Sequence, residues 1–111
     1  MKPDLFEKID RTNDPYQIVK SALNSSLGWG FISALDRWLR GVSYGDEYAG
    51  CDFPEDDDQF KGIRCYFLDD EIIISEQVFF EHLRKACQRY IELHPDRKDK
   101  LEQIISKSSL R

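Results

Sequence analysis

The apolar pattern of this chain changes period near residue 75, and that change restricts the fold more than any other feature. Upstream, Ile63, Cys65 and Phe67 alternate with Arg64, Tyr66 and Leu68. Asp69-Asp70-Glu71 then breaks the run before Ile72-Ile73-Ile74. Alternation of period 2 around a polar break predicts a β-hairpin, with strands over 62–68 and 71–75. Downstream, Phe79, Leu83, Cys87 and Tyr90 recur every three or four residues, with Ala86 beside them, which predicts a helix over 76–93. Ser75 stands where an N-cap belongs, Glu76 favours the first turn, and Pro95 stops the helix. A two-stranded hairpin is marginal alone in water. It must lie on helices or recruit a further strand, for which 42–53 supplies the candidate.

The remaining segments read as helices and one long loop. Asp14-Pro15-Tyr16-Gln17 has the composition of a helix start, with a capping Asp, Pro at the first helical position and Gln at capping-box spacing. Ile18, Val19, Ala22 and Leu23 follow as a short apolar stripe. Phe31, Leu35, Trp38 and Leu39 lie on one face of a second helix over 31–40, which Gly41 can end. Pro95 can open a fourth helix with Leu101, Ile104 and Ile105 as its apolar edge. Residues 42–60 show neither period and contain Gly45, Gly50 and Pro54. The expectation is an α+β fold, about four helices packed on a β-hairpin or small antiparallel sheet. It forms one domain over 1–111, with loosely ordered ends at 1–13 and 107–111.

Charge is the second constraint. Between Asp46 and Asp58 stand Asp46, Glu47, Asp52, Glu55, Asp56, Asp57 and Asp58, with no Lys or Arg. The chain as a whole has 21 acids and 16 bases, so the other 98 residues carry 14 acids and 16 bases and are nearly neutral. The acidity is local. A field of one sign beside aromatic residues attracts a basic partner. The bland reading of the same run is a solvated loop that aids solubility. Tyr44, Tyr48 and Phe53 lie within this loop and suit either of two roles: rigid contact area for Arg and Lys, or anchors that tie the loop to the core. Asp69, Asp70 and Glu71 form a second acidic patch.

A net charge of −5 and an isoelectric point near 5.0 argue against a nucleic-acid partner and against adhesion to an anionic membrane. No apolar run reaches the length of a bilayer span, and the first residues lack a signal-peptide core, so a cytoplasmic location is expected. Cys51, Cys65 and Cys87 are too widely spaced for a zinc or redox motif. Cys65 and Cys87 read as small core residues. Cys51 lies in the acidic loop, where carboxylates should raise its thiol pKa.

Chemistry finds little support. A calcium loop needs Gly at position 6 and Glu at position 12. Counted from Asp56 these are Lys61 and Phe67, and counted from Asp52 they are Asp57 and Ile63. Leu27-Gly28-Trp29-Gly30 lacks the Lys-Ser/Thr that completes a phosphate loop; a helix connection with a partly buried Trp is its expected role. Trp29, Trp38, Phe79 and Phe80 read as core aromatics. His82 has no acid at helical spacing, and His94 falls at a helix C-terminus, so structural or surface roles are expected for both. No catalytic residue, metal or cofactor is expected.

One stretch is similar to a known family. Gly62-Ile63-Arg64-Cys65-Tyr66-Phe67-Leu68-Asp69-Asp70-Glu71-Ile72-Ile73-Ile74-Ser75 leads into Phe79-Phe80-Glu81-His82-Leu83 and Ala86-Cys87-Gln88-Arg89-Tyr90-Ile91, then His94-Pro95-Asp96 and a short last helix. This order of elements resembles immunity proteins of bacterial contact-dependent growth inhibition systems, in particular those paired with ribonuclease toxins. The resemblance covers 15–106 and is strongest over 60–105. It implies a cytoplasmic, non-enzymatic protein that binds and neutralises a toxin domain. A ribonuclease must bind phosphates in a basic cleft, and an acidic surface can take their place. Charge then nominates the contacts: Asp46, Glu47, Asp52, Glu55, Asp56, Asp57 and Asp58, with Tyr44, Tyr48 and Phe53 as anchors and Asp69, Asp70 and Glu71 as the second patch. The rival reading is a small cytoplasmic adaptor or regulator that binds another basic protein.

Overall fold

A computed structural model describes residues 5–6, 9–10, 12–54 and 60–107, the side chain of Trp29 excepted. The expectations for Glu55, Asp56, Asp57 and Asp58, for the ring of Trp29 and for 108–111 therefore lie outside the described residues, as does much of 1–11. The element order is α1 (Gln17–Trp29), α2 (Phe31–Leu39), β1 (Tyr44–Gly45), β2 (Ala49–Asp52), β3 (Ile63–Phe67), β4 (Asp70–Ile74), α3 (Glu76–Leu93), a 3-10 turn (Pro95–Arg97) and α4 (Lys98–Ser106). Four helices and one antiparallel sheet make the fold α+β, as the two periods require.

The sheet is a meander of order β1-β2-β3-β4. The recruited strand is real and is itself a hairpin: β1 pairs with β2 through Gly45↔Gly50, and β2 pairs with β3 through Cys51↔Cys65. Ala49, Cys51, Ile63, Cys65 and Ile74 are buried. α1 runs across β2, β3 and β4. Its buried stripe is Val19, Ala22, Leu23 and Ser26, spaced i, i+3, i+4 and i+7. Small groups on both sides, Ala22 and Ser26 from the helix and Ala49, Cys51 and Cys65 from the sheet, let helix and sheet approach closely. The Ser26 hydroxyl is satisfied by the Leu23 carbonyl of its own helix.

An aromatic cluster joins the layers. Trp38 of α2 meets Phe79 of α3 edge-on, with ring centroids 5.9 Å apart and planes at 90°. Phe53 meets the same ring at 5.8 Å and 88°. Such T-shaped pairs add about 0.5–1.5 kcal/mol to what area burial supplies. α3 spans the expected 76–93, and its Ser75 hydroxyl accepts the Val78 N–H at 3.1 Å. His94 caps its other end, its N–H donating to the Tyr90 carbonyl at 2.8 Å. Gly41 (φ 75°) ends α2 through its N–H on the Trp38 carbonyl.

Two boundaries differ from expectation. α1 starts at Gln17 rather than at Pro15, because Asp14 closes a turn ahead of the helix by accepting the Tyr16 N–H at 2.9 Å. The β3–β4 turn is Leu68–Asp69, not Asp69–Glu71, since the ladder extends to Phe67↔Asp70. Near the amino end, Leu5 is buried, and the Asn24 side chain holds both the N–H and the carbonyl of Phe6.

Asp14 gives the fold an acid-sensitive contact. The Lys20 ammonium hydrogen-bonds its carboxylate and, with the Tyr16 N–H and the nearby His82, holds its pKa below the ordinary 3.8. A carboxyl whose folded pKa is depressed contributes stability that is complete above its unfolded pKa and is lost as pH falls through the folded one. Thermal melts between pH 5 and 2 should therefore show Asp14→Asn losing stability on acidification less steeply than the parent. Equal slopes would remove Asp14 from the acid response.

Candidate partner-binding surface

The meander decides which acidic residues meet. β2 and β3 run antiparallel with Ala49 opposite Phe67. The β1–β2 turn, 46–48, and the β3–β4 turn, 68–69, therefore emerge at the same end of the sheet. A hydrogen bond from the Leu68 N–H to the Tyr48 carbonyl, 2.6 Å long, ties one turn to the other. Asp46, Glu47, Asp69 and Asp70, drawn from the two separate sequence patches, thus share one edge of the molecule. Tyr48 and Leu68 stand among them, 61% and 62% exposed, and they are the two most exposed large apolar side chains of the described residues. An apolar centre with a charged rim is the usual anatomy of a protein contact.

Each turn has a local cause. Asp46 accepts the N–H groups of Tyr48 and Ala49 at 2.8 and 2.9 Å, so its carboxylate closes the β1–β2 turn as well as charging it. Leu68 has φ 56°, the left-handed region, and is the single non-glycine with a positive φ among the described residues. A left-handed turn position normally belongs to Gly or Asn. A leucine there costs stability and displays an apolar side chain at the tip.

Other expected contacts sit elsewhere. Asp52 lies at the opposite end of β2 and pairs with Arg64 at 3.1 Å, while Glu71 approaches the same guanidinium at 3.7 Å. These three residues cross β2, β3 and β4 on the face away from α1, and the guanidinium also lies 4.9 Å from the Phe60 ring centre. Partly exposed pairs of this kind contribute about 0.2–1 kcal/mol. They leave Asp52 and Glu71 less available to a partner than Glu47, Asp69 and Asp70. Phe53 requires a correction. It is 7% exposed and packs on Phe79 and Phe80, so of its two open roles it takes core anchoring. Tyr44 is half-buried, with the Arg37 guanidinium 5.3 Å from its ring centre and its carbonyl accepting the Trp38 indole N–H at 3.4 Å.

Tyr66, which alternation places on a strand and nothing else in the sequence marks, organises the outer face. Its hydroxyl donates to the Asp46 carbonyl at 2.6 Å, bridging from β3 past β2. The ring passes over Gly50 and Gly45. A Cβ on Gly50 would come within 2.6 Å of that hydroxyl and 2.8 Å of the Gly45 Cα. Glycine at both positions makes the crossing possible. Burial raises the Tyr66 pKa, and the carboxylates of Asp52 and Asp46 add to it.

The groups considered for chemistry occupy structural positions. Cys51 is a further correction: it is an inward strand residue, its Sγ 3.5 Å from that of Cys65, and burial rather than loop carboxylates is the first cause of its raised pKa. Burial also pushes the Cys87 thiol up to about 12. His82 is buried against Phe6 and Tyr16 with Nδ1 on the Val78 carbonyl at 2.8 Å. A cleft of about 650 Å³ lies between α1 and the end of α3, lined by Leu27, Phe31, Tyr90, His94 and Arg97 among others. Its Arg97 is engaged by the Tyr90 hydroxyl at 3.0 Å. Among the described residues there is no cluster of metal-ligating side chains, and no helix is long and apolar enough to cross a membrane.

An α+β domain of four helices on a four-stranded meander is what these residues build. The sequence profile of the CDI immunity protein family matches residues 15–105, and the chain belongs to that family. Membership gives it a toxin-neutralising immunity role and a cognate toxin protein as its partner. No curated protein matches the sequence.

Proposed function

We propose that this protein acts in the cytoplasm as a stoichiometric inhibitor of a basic ribonuclease toxin, with no catalysis of its own. The toxin's phosphate-binding cleft is occupied by the acidic end of the sheet. The observation that carries this reading is the convergence of the two turns, which sets Glu47, Asp69 and Asp70 around the exposed Tyr48 and Leu68. Carboxylates there stand in for RNA phosphates and steer encounter, while the apolar pair slows release. Asp52 and Glu71 join once Arg64 exchanges partners. Glu55, Asp56, Asp57 and Asp58 are retained as contacts on their charge alone.

The test is rescue. The toxin domain encoded immediately upstream is expressed in bacteria with and without this protein, and growth and total RNA integrity are followed. Growth with intact RNA supports the reading. Degraded RNA in cells that hold soluble inhibitor overturns it.

Leu68 separates a functional strain from an accidental one. Leu68→Gly should stabilise the free protein by about 0.5–1 kcal/mol, the left-handed penalty less the added chain entropy of glycine. It should weaken toxin binding about tenfold or more, since burying a leucine is worth about 1.5–3 kcal/mol. Paired melting and calorimetric titration read both signs. A glycine variant that is more stable and binds equally well would remove Leu68 from the interface.

A further inference from the structure

We propose that the free edge of β4 receives an extended basic segment of the toxin as a fifth strand of the sheet. This rests on the immunity reading above. The hydrogen-bond parity of the meander exposes the edge. The two-residue turn Leu68–Asp69 closes on Phe67↔Asp70, so that pair, Cys65↔Ile72 and Ile63↔Ile74 are the hydrogen-bonded ones. The Leu68 N–H on the Tyr48 carbonyl fixes the same alternation from the β2 side, where even-numbered β3 residues point. Glu71 and Ile73 therefore direct their N–H and carbonyl groups away from β3. Neither makes a backbone bond to a described residue outside the sheet.

Edges of this kind are usually guarded by charged side chains, Pro or a bulge. β4 has neither Pro nor bulge: it reads Asp-Glu-Ile-Ile-Ile, its register runs unbroken over five residues, and its charges stop at Glu71, which leaves Ile72, Ile73 and Ile74 unguarded. Ile73 is 50% exposed on the face away from α1. The charges it does carry, Asp70 and Glu71, select the occupant. They disfavour a second copy of a chain whose net charge is −5 and favour a strand with Lys or Arg. Glu71 and Ile73 lie two apart on one face, so the incoming strand should carry a basic residue and an apolar one in that same alternation. The edge begins at the acidic turns, so the added strand continues the proposed surface. Main-chain bonds supply affinity, and alternate side chains supply specificity.

The experiment is residue-resolved amide exchange on this protein, free and saturated with the toxin domain encoded immediately upstream. In the complex the Glu71 and Ile73 amides should slow about a hundredfold, while Ile72 and Ile74, already bonded to β3, should change little. Ile73→Pro removes an outward N–H and spares the ladder. It should stay folded and bind about tenfold more weakly, the loss of one or two net hydrogen bonds. A complex in which Glu71 and Ile73 exchange as fast as in the free protein overturns the edge and leaves the immunity reading intact. Absence of any complex with the parent overturns both. Protection of these amides in the free protein that grows with its concentration assigns the edge to a second copy and overturns the proposal.

Discussion

Truncating Trp38 to alanine is expected to cost about 3–5 kcal/mol, enough to leave a domain of this size largely unfolded at growth temperature. Its side chain is fully buried, meets Phe79 edge-on and hands its indole N–H to the Tyr44 carbonyl. The variant removes core volume, one T-shaped pair and the bond that fastens α2 to β1. Chemical denaturation should show a midpoint lowered in proportion. Trp38→Phe should recover most of the loss because it keeps the ring pair and forfeits only the weak indole bond. A Trp38→Ala variant within 1 kcal/mol of the parent, on the same scale of core truncations, would mean the cluster does not hold the layers together.

That cluster also shows where the sequence was legible and where it was not. α2 and α3 announced themselves because their signals are local: a 3.6-residue stripe in each, Ser75 before α3 and Pro95 after it. β3 and β4 were visible through alternation. β1 and β2 were foreseen only as one candidate strand within 42–53, because two of their outward positions are Gly45 and Gly50, cleared for the ring of Tyr66. Glycine erases the alternation, and the small inward residues Ala49 and Cys51 lack the β-branched signature of a strand. Phe53 looked like a loop residue among acids and before a proline; only the distant Phe79 and Phe80 make it core. Asp69-Asp70-Glu71 suits a turn by composition better than a leucine does, yet Leu68 holds the left-handed position and the turn begins there. As for the site, the charge was readable but its assembly was not. Asp46 and Glu47 meet Asp69 and Asp70, more than twenty positions along the chain, solely through the antiparallel pairing of β2 with β3.

The second large effect concerns that surface. Lysine at Glu47, Asp69 and Asp70 together changes the net charge from −5 to +1. Association with a basic toxin should slow by about 10–100-fold at low salt, since steering of this kind is worth 10–10³. The dissociation rate should change far less. The deficit should shrink as salt rises, because the Debye length falls to about 8 Å at 0.15 M. Asp46 is left in place, as its carboxylate closes a turn. All three substituted positions are exposed, so melting should move by no more than about 0.5 kcal/mol. Stopped-flow association across a salt series reads the result. Unchanged rates at low salt would place the toxin on another face.

The interior thiols give the molecule a built-in clock for its own opening. Cys51 on β2, Cys65 on β3 and Cys87 on α3 are all buried. The first two report the sheet, and the third reports the helix. An alkylating reagent added to the native protein can modify only molecules that have opened, and mass spectrometry counts the tags. Three tags arriving together mark cooperative opening of sheet and helix. A tag on Cys87 that precedes the other two marks α3 leaving a sheet that is still closed. Carried out with toxin present, the same count measures how firmly the bound partner holds the core shut.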